Sequence, residues 1–376
     1  MIIGMDAKRI VRNGTGLGSY GRTLVNDLAA LDDQLQLRLY APDEGRHELR
    51  SQIVGRENVK FCYPKGRKSA LGRALWRSHG VTGQLVSDGV QVYHGLSGEL
   101  PSGLQKAGIR SVVTIHDLIF MRHPEYYKPI DVRIYTRKFR QTIRQADYIV
   151  AISECTRRDV CELGGIDRSR VDLVYQSCAP RFTEMPEARQ LWQVRDEYNL
   201  PDRYVLTVGT IEERKNALLA VRALPYLPDD VSLVIVGRHT PYADRIQQYI
   251  DQERLNPRVM MLHNVTNDHL PAFYAMADAF VYPSRYEGFG IPVIEAIGMG
   301  LPVVACTGSC LEEAGGPDSL YVDPDDAQAM ANALSQVLIG AAGRQQRIDL
   351  SRRYIARFAG TNAAQRFADI YAMLLQ

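Results

Sequence analysis

Glu287-Gly-Phe-Gly-Ile-Pro-Val-Ile-Glu295 is the most informative stretch of this sequence of 376 residues. Its two carboxylates flank Gly288, Gly290 and Pro292. Glycine leaves room for a ligand against the backbone, and proline suits the first turn of a helix. Helix N-termini attract phosphates, and carboxylates accept hydrogen bonds from hydroxyls. The stretch therefore predicts a site for an anion beside sugar or ribose hydroxyls.

The flanking residues extend this pattern. Tyr282-Pro-Ser284 precedes it, and Ala296-Ile-Gly-Met-Gly-Leu-Pro-Val-Val-Ala305 follows it. The whole run resembles the E-x7-E signature of retaining glycosyltransferases of family GT4. The one departure is Gly298, where the family usually has Ala. The resemblance implies a GT-B fold, in which two Rossmann-like, doubly wound parallel-sheet domains face a central cleft.

Alternating β-branched and helix-like segments independently predict an α/β fold with parallel sheets. Most of the β-branched runs are continuously apolar, as expected for strands that helices cover on both faces. We expect strands at residues 2–5, 35–40, 59–63, 90–94, 111–115, 148–152, 171–175, 204–208, 232–236, 259–262, 279–282, 303–305 and 320–322.

The chain is long enough for about two domains, because single cores rarely grow beyond ~250–300 residues. Pro180 and Pro186 favour a boundary near residues 179–189. With the resemblance, we expect an acceptor-binding N-terminal domain over residues 1–180 and a nucleotide-sugar-binding C-terminal domain over residues 188–358. A last helix over about residues 360–376 would cross back onto the first domain. Packing against the second domain is the alternative.

Composition is typical of a globular protein, with 45% hydrophobic and 23% charged residues. We find no apolar window of ~18 residues that would span a membrane, and the N-terminus predicts a strand, not a signal peptide. The six cysteines form no CxxC pair, so reduced thiols are favoured over a zinc site. These features predict a cytoplasmic protein, with peripheral contact at the inner face of the membrane as an option.

Positive charge is concentrated in the first half of the chain. Residues 1–180 hold 27 Lys and Arg against 19 Asp and Glu, although the net charge of the whole chain is only +2. A basic run covers residues 65–77, and a predicted helix places four further cations on one face. Either set could contact an anionic membrane or a lipid-diphosphate-linked acceptor, and a solvated surface is an equal alternative. No nucleic-acid motif accompanies them. The four helix cations are Arg133, Arg137, Arg140 and Arg144.

A glycine-rich turn follows the first predicted strand of the first domain. Asn13-Gly-Thr-Gly-Leu-Gly18 opens a predicted helix, where the backbone could approach a phosphate. Taken alone, such a turn is weak evidence. It resembles the G-[IL]-G loop of GT4 enzymes, which implies that Gly16 and Gly18 lie near the donor diphosphate and the acceptor.

A second turn follows the first predicted strand of the second domain. Thr207-Val-Gly-Thr-Ile-Glu-Glu-Arg-Lys-Asn216 resembles the V-G-x-x-x-x-x-K-N segment of the family. Cleavage of a sugar–phosphate bond leaves a nucleoside diphosphate with growing negative charge, which Arg214 and Lys215 could neutralise. Many relatives carry Arg where this chain has Thr210, and Arg214 could supply that guanidinium.

Further candidate residues lie at strand ends. His116 ends the predicted strand at residues 111–115, where catalytic groups of doubly wound sheets gather, and it resembles a GT4 histidine that faces the donor sugar. His94 also ends a strand and is a second candidate. Val265 lies in a segment that resembles the family's base-binding region, which implies a backbone contact to the nucleotide base.

The resemblance implies a retaining hexosyltransferase that works by front-side attack. Glu287 would hold donor-sugar hydroxyls with the amides of Gly288, Phe289 and Gly290, and Glu295 would bind the ribose hydroxyls. We expect neither a metal nor a cofactor, because cations and helix N-termini would stabilise the charge. GDP-mannose is the favoured donor, since residues 209–216 resemble segments of mannosyl- and deoxyhexosyltransferases of surface polysaccharide assembly. UDP-sugars remain open.

Two other classes of protein stay under consideration. An NAD(P)-dependent oxidoreductase could use the first glycine turn, but an acidic residue is missing at the end of the second strand. It would also leave Glu287 and Glu295 without a role. A non-catalytic two-domain sugar-binding protein would not need Lys215 beside a diphosphate. A sugar-nucleotide epimerase of the same fold lacks the matching motifs.

Overall fold

The computed structural model describes residues 1–64, 66 and 69–376, apart from the side chain of Ala70. The chain forms two compact units. Unit 1 consists of Met1–Cys178 together with Phe358–Gln376, and unit 2 consists of Ala179–Arg357. The first predicted basic run falls partly outside this description, because Lys65, Arg67 and Lys68 are not among the described residues.

Unit 1 is built on a twisted sheet of parallel strands. These strands are β1 (Ile2–Asp6), β2 (Gln36–Tyr40), β3 (Val59–Cys62), β4 (Val92–Gly95), β5 (Arg110–Ile115), β6 (Tyr148–Ala151) and β7 (Val171–Leu173). They lie in the order β3-β2-β1-β4-β5-β6-β7, and each pair of neighbours is parallel. The chain winds outward from β1 in one direction and then from β4 in the other, so the sheet has its switch point between these two strands.

Helices cover this sheet and close its core. They are α1 (Lys8–Arg12), α2 (Gly16–Leu31), α3 (His47–Arg50), α4 (Ala70–Leu75), α5 (Val81–Ser87), α6 (Ile119–Arg122), α7 (Pro129–Gln145) and α8 (Glu154–Gly164). A π-helical turn at Trp76–Gly80 joins α4 to α5. The buried strand interiors explain the continuous apolar runs, since both faces of the sheet are shielded from water.

Unit 2 repeats the same architecture. Its strands are β8 (Tyr204–Val208), β9 (Ser232–Val236), β10 (Val259–Leu262), β11 (Ala279–Tyr282), β12 (Val303–Cys306) and β13 (Leu320–Val322). They lie in the parallel order β10-β9-β8-β11-β12-β13, which puts the switch point between β8 and β11. The helices are α9 (Ala188–Tyr198), α10 (Ala217–Ala223), α11 (Pro241–Gln252), α12 (Leu270–Met276), α13 (Ile291–Gly298), α14 (Leu311–Gly315), α15 (Ala327–Ser335) and α16 (Arg344–Ile355).

The final helix, α17 (Gly360–Met373), belongs to unit 1. Phe367, Ile370 and Tyr371 recur along one face of it and are at most 1% exposed. They share a core cluster with Ile3 of β1 and Leu28 of α2. Unit 1 is therefore assembled from two distant parts of the chain, and its core is closed by the second part.

The two doubly wound parallel sheets confirm the predicted α/β class, and every predicted strand is present. The differences lie at strand ends. Val90 was expected in a strand, but its N–H donates to the carbonyl of Leu85 at the end of α5, so β4 begins at Val92. The described residues include no helix with the length and apolar character needed to cross a membrane. None of the six cysteines, which all lie in the described parts of the chain, forms a disulfide bond.

Gly298, the departure from the family pattern, has a local explanation. A Cβ at this position would lie 2.5 Å from the carbonyl oxygen of Phe182, in the 3-10 turn Pro180–Phe182. Two atoms at that distance overlap, and a backbone carbonyl cannot move aside as a flexible side chain can. The close approach of this turn to α13 thus requires glycine in place of alanine.

Candidate active site

The predicted motif residues of unit 2 lie on two loops that leave adjacent strands. Residues 209–216 follow β8 and residues 283–290 follow β11, and these strands pair in parallel register. Both loops therefore emerge at the carboxyl edge of the sheet at its switch point, where doubly wound sheets bind ligands. Segments about 70 residues apart in sequence meet at this edge because the sheet topology brings them there.

The loop after β8 has a fixed backbone. Glu213–Lys215 forms one 3-10 turn, and Asn216 then takes the left-handed conformation with φ of 54°. The side chain of Asn216 donates to the carbonyl of Pro324 at 2.8 Å, which compensates for this uncommon backbone geometry. A Cβ at Gly237 would lie 1.7 Å from the carbonyl oxygen of Gly209, so the end of β9 needs glycine where this loop passes.

Glu287 binds both predicted cations. Its side chain accepts from Lys215 Nζ at 2.5 Å and from Ser284 Oγ at 2.5 Å, and it forms an ion pair with Arg214 Nη1 at 3.0 Å. The residue is only 8% exposed. All of its contacts with described residues, including a longer one to Tyr282 OH at 3.3 Å, fall on the single oxygen Oε1. The other oxygen, Oε2, keeps its capacity to accept hydrogen bonds.

The charges of this cluster control the ionisation of Glu287. Burial alone would raise its pKa, but the adjacent Lys215 and Arg214 charges, with hydrogen bonds from Lys215 and Ser284, lower the pKa to about 2. For Arg214, burial works against the charged form, but Glu287 and Glu212 raise the pKa of its guanidinium. The cluster consequently keeps the Glu287 carboxylate ionised beside the charged Arg214 guanidinium.

Arg214 makes more hydrogen bonds and ion pairs within the protein than the sequence suggested. Its guanidinium donates to the carbonyl of Tyr286 at 2.5 Å and to Glu212 at 2.7 Å, in addition to the pair with Glu287. The ammonium of Lys215 hydrogen-bonds only to Glu287 and Tyr282 among the described residues, at 2.6 Å from Tyr282 OH. Because an ammonium has three donors, Lys215 retains one for a ligand.

The loop after β11 ends in the predicted helix. Gly290 caps α13 with φ of 110°, a conformation that only glycine adopts without strain. Pro292 lies in the first turn, as predicted. Gly288 and Phe289 are buried, and the side chain of Phe289 is 2% exposed. The role of the three backbone amides of residues 288–290 toward a donor stays a prediction.

Glu295 lies one turn further along α13 in a less polar environment. Tyr274 OH donates to Glu295 Oε2 at 3.0 Å, and the ring of Tyr274 packs edge-on against Phe182 at 5.6 Å. Burial raises the pKa of Glu295 to about 7, although Tyr274 and the charge of Arg181 act in the opposite direction. Near neutral pH this carboxyl therefore exchanges between its neutral and charged forms. Its other oxygen has no partner among the described residues.

Val265 lies half-buried in the loop between β10 and α12. Strand β10 is at the edge of the sheet, two strands away from β8. The structure supplies no feature that assigns Val265 to a nucleotide base, and the contact stays a prediction.

His116 of unit 1 is held by two hydrogen bonds. Its Nε2 is 2.8 Å from the carbonyl of Leu96, which can only accept, so Nε2 carries the proton. The amide of Gln176 then donates to Nδ1 at 2.7 Å. Burial lowers the pKa of His116 to about 4, so the ring is neutral. Contact between His116 and a donor sugar, which stays a prediction, would require one of these bonds to be exchanged.

The second candidate histidine, His94, is not placed to contact a ligand. The residue is fully buried, with its ring nitrogens 2.6 Å from Tyr371 OH and 2.8 Å from Thr114 Oγ1. Burial lowers the pKa of His94 to about 3. Its position at a strand end could not distinguish a ligand-facing histidine from one that ties α17 to the sheet.

The two glycines of the first turn differ in their surroundings. Gly16 is exposed at the start of α2, and a Cβ there would meet nothing within 4 Å. Gly18 is buried, and its Cβ would lie 1.8 Å from the carbonyl oxygen of Asn13. Gly18 is therefore needed for packing inside unit 1, whereas the fold gives no reason for glycine at position 16.

Sequence reasoning missed the side chains that hold the two acidic residues. Ser284 and Tyr282 were noticed only as flanks of the motif, yet both contact Glu287. The spacing of Ser284, three positions before Glu287, was the available signal. No local signal connects Tyr274 with Glu295, because their contact depends on how α12 packs against α13. No group of three His, Cys, Asp or Glu side chains in the described parts of the chain is placed to hold a metal ion.

Comparison with known families covers both units. The model for Glycosyltransferase Family 4 matches residues 14–177, and the model for Glycosyl transferases group 1 matches residues 190–353. The chain belongs to the family 4 glycosyltransferases. This assignment confirms the predicted family and removes the oxidoreductase and the non-catalytic sugar-binding protein from consideration.

Individual relatives extend the match to the whole length. This glycosyltransferase is 28% identical to the O-antigen chain mannosyltransferase B of Escherichia coli, over 96% of each chain. It is 30% identical to a GDP-mannose-dependent alpha-(1-6)-phosphatidylinositol monomannoside mannosyltransferase of Mycolicibacterium smegmatis, over 54% of this chain and 58% of that one. The sucrose-phosphate synthase of Thermosynechococcus elongatus shares the fold, with a TM-score of 0.77 at 20% identity over 100% of this chain and 99% of that one.

Proposed function

We propose that this glycosyltransferase moves mannose from GDP-mannose to a hydroxyl of a glycan or lipid-diphosphate-linked acceptor in surface polysaccharide assembly. The transfer would retain the anomeric configuration and need no metal. Similarity along the whole chain to an O-antigen mannosyltransferase supports the sugar. The match to a GDP-mannose-dependent enzyme supports the donor nucleotide.

The proposed chemistry rests mainly on one observation, which is that the two carboxylate oxygens of Glu287 have different contacts. Oε1 takes every contact with the protein and holds Lys215 and Arg214 in place. Oε2 is left to accept hydrogen bonds from hydroxyls of the transferred sugar. Because the pKa of Glu287 lies near 2, the carboxylate stays a strong acceptor at any physiological pH.

Lys215 would stabilise the leaving diphosphate. Its ammonium is fixed by Glu287 and Tyr282 and keeps one N–H free. A charge that is already positioned costs no reorganisation when the sugar–phosphate bond breaks, which is the main source of electrostatic catalysis. Arg214 would act mainly by raising the local positive potential, since its guanidinium is already bound to Tyr286, Glu212 and Glu287.

Glu295 would bind the ribose of the donor through its open oxygen, while Tyr274 fixes the other oxygen. The start of α13 would lie beside the diphosphate, because the N-terminal amides of a helix favour anions. His116, Gly16 and Gly18 would contribute from unit 1 as the family resemblance implies. Of these, Gly16 has the most open surroundings.

A product analysis tests this function. The purified protein is incubated with GDP-mannose, UDP-glucose or UDP-galactose and a polyprenyl-diphosphate-linked glycan, with and without EDTA. We expect transfer from GDP-mannose alone, an α-anomeric proton signal in the product by NMR, and no effect of EDTA. Preferred use of a UDP-sugar would overturn the donor assignment, a β-linked product would overturn retention, and loss of activity in EDTA would overturn metal independence.

We also propose peripheral contact of unit 1 with anionic membranes through α7. Its predicted basic face is exposed, together with Ile130 and Ile134, which are 58% and 43% exposed. Basic side chains interleaved with apolar ones are typical of helices that lie at lipid surfaces. Flotation with vesicles of phosphatidylglycerol or phosphatidylcholine tests this contact. Equal binding to both lipids, or unchanged binding after Arg137→Gln and Arg140→Gln, would contradict it.

A further inference from the structure

A second polar site lies in unit 1, away from the residues that define the candidate active site. A cavity of about 590 Å³ opens at the carboxyl ends of β1 and β4. These are the strands between which the winding of the sheet reverses, so the cavity occupies the ligand-binding position of a doubly wound unit. Asp6 ends β1, Glu99 follows β4, and Lys138 of α7 contributes a wall.

Part of the charge in this cavity is internally neutralised. Arg77 bridges Asp6 at 2.9 Å and Glu99 at 2.5 Å, and Lys138 binds Glu99 at 2.9 Å. Burial would raise the pKa of Glu99, but Arg77 and Lys138 lower it to about 2. This network fixes the floor of the cavity and leaves little positive charge there for a ligand.

The other charged residues of the cavity lining are cations. Arg12 and Arg73 share one carboxylate, Asp43, and Arg73 is 3.4 Å from it. Lys8 also lines the cavity, but its ammonium has neither an ion pair nor a hydrogen bond with any residue that the structure describes. Taking the described side chains together, five cations (Lys8, Arg12, Arg73, Arg77 and Lys138) face three carboxylates (Asp6, Asp43 and Glu99).

Lys8 is thus a half-buried cation that no ion pair or hydrogen bond with a described residue holds. Burial and then the charges of Arg77 and Arg9 lower the pKa of its ammonium, although the charges of Glu99 and Asp6 act in the opposite direction. A charged group without a partner is unfavourable when it is partly removed from water, and a bound anion would relieve this cost. Arg12 and Arg73 could complete the contact, since guanidinium forks match phosphate oxygens.

We infer that this cavity binds a phosphate or diphosphate group of the acceptor, with Lys8 as the primary contact and Arg12 and Arg73 beside it. The surplus of two positive charges matches a phosphate dianion better than the single charge of a sugar carboxylate. The inference rests on the proposed function in one respect, namely that the anion belongs to the acceptor. Binding of the anion itself is independent of the sugar that is transferred.

The chain offers a spectroscopic reporter for this site. Of its two tryptophans, Trp76 is buried and directly precedes Arg77, which lines the cavity, and Trp192 is exposed in unit 2. In a Trp192→Phe background, inorganic pyrophosphate is titrated while Trp76 fluorescence is recorded. Four proteins are compared, namely the background protein and its Lys8→Met, Lys215→Met and Lys60→Met derivatives. Lys60 is exposed on β3 and does not line the cavity.

We expect pyrophosphate to change the Trp76 signal, and Lys8→Met to raise the apparent Kd at least tenfold. Lys60→Met and Lys215→Met should shift it less than twofold. No response of Trp76 in the background protein, an unchanged Kd for Lys8→Met, or a large effect of Lys215→Met would each overturn the inference. A large effect of Lys215→Met would show that pyrophosphate binds at the candidate active site. Unfolding curves of each variant confirm that the fold is intact.

A kinetic comparison then identifies the source of the anion. Acceptors that differ only in the anionic group are tested, namely a phosphate-free glycan, a soluble glycan 1-phosphate, and the same glycan on a polyprenyl diphosphate in vesicles. The preference is the kcat/KM for a phosphate-bearing acceptor divided by the kcat/KM for the phosphate-free glycan. We expect Lys8→Met to lower this ratio at least tenfold, and Lys60→Met to leave it unchanged. An unchanged preference for both phosphate-bearing acceptors in Lys8→Met would contradict the acceptor assignment, even if GDP-mannose proved to be the wrong donor.

Discussion

Glu287 shows how a single buried side chain can serve both stability and chemistry. One of its oxygens satisfies Lys215, Ser284 and Arg214, which removes the penalty of burying three charges without partners. The motif spacing predicted Glu287 and the two cations. It could not predict that Arg214 would donate to the carbonyl of Tyr286, because that contact depends on the pairing of β8 with β11.

Replacement of Glu287 by Gln should lower kcat by about 10²–10³-fold, which is the scale of a lost transition-state contact. The amide keeps the shape of the side chain but removes the charge that positions Lys215. Steady-state kinetics with saturating donor measures the effect. Glu213→Gln is the matched control, because Glu213 is exposed on the same turn and should leave kcat within about twofold. A Glu287→Gln enzyme with nearly unchanged kcat would rule out the role of Glu287.

The raised pKa of Glu295 makes stability depend on pH. Its pKa of about 7 exceeds the usual value for a glutamate, so the folded state favours the protonated form. The stabilising contribution is complete below about pH 4.5 and is lost as pH rises through 7. Glu295→Gln should therefore raise the Tm at pH 8 and change it little at pH 5. Glu312→Gln, an exposed control, should show no such difference. An equal shift at both pH values would contradict the assignment.

At the scale of elements, the structure explains why similar glycines have different roles. The turn into α2 packs the backbone of Gly18 against the carbonyl of Asn13, whereas a Cβ at Gly16 would meet no atom within 4 Å. Apolar runs and their turns predicted the strands of both sheets. Strand ends were less predictable. The N–H of Val90, for example, donates to a carbonyl of the preceding helix and not to a neighbouring strand, and the local sequence does not reveal this choice.

Alanine substitutions at these two glycines separate folding from ligand binding. Gly18→Ala should reduce the free energy of unfolding of unit 1 by about 2 kcal/mol or more, since overpacking against backbone is costly. Gly16→Ala should change it by less than about 0.5 kcal/mol. Urea unfolding measures both. If Gly16 lies beside substrate as proposed, Gly16→Ala should instead raise a substrate KM. Equal stability of the two variants would contradict the packing argument.

At the scale of the whole molecule, α17 makes unit 1 dependent on a helix that follows unit 2 in the sequence. Phe367 and Tyr371 are buried in the core of that unit, and Tyr371 hydrogen-bonds to His94. The helical spacing of these residues was visible in the sequence. Local spacing could not decide which unit would receive them, because an apolar face fits any complementary surface.

Phe367→Ala should destabilise unit 1 by about 3–5 kcal/mol through cavity formation. Unit 2 does not contribute to this cluster, so its local stability should be preserved. Hydrogen exchange followed by mass spectrometry resolves the two units. We expect β1 and α2 to lose protection while β8 and β9 keep theirs. Ala363→Ser, at a half-buried position on α17, serves as a mild control. Uniform loss of protection in both units would contradict the prediction.

The split composition of unit 1 also affects the order in which the protein matures on the ribosome. Chains generally fold as they are synthesised, with N-terminal domains first. Here the first 178 residues leave the ribosome without the helix that closes their core, whereas residues 179–357 are complete before that helix emerges. Unit 1 is thus completed after unit 2, and until α17 emerges the apolar surface of unit 1 is available to chaperones.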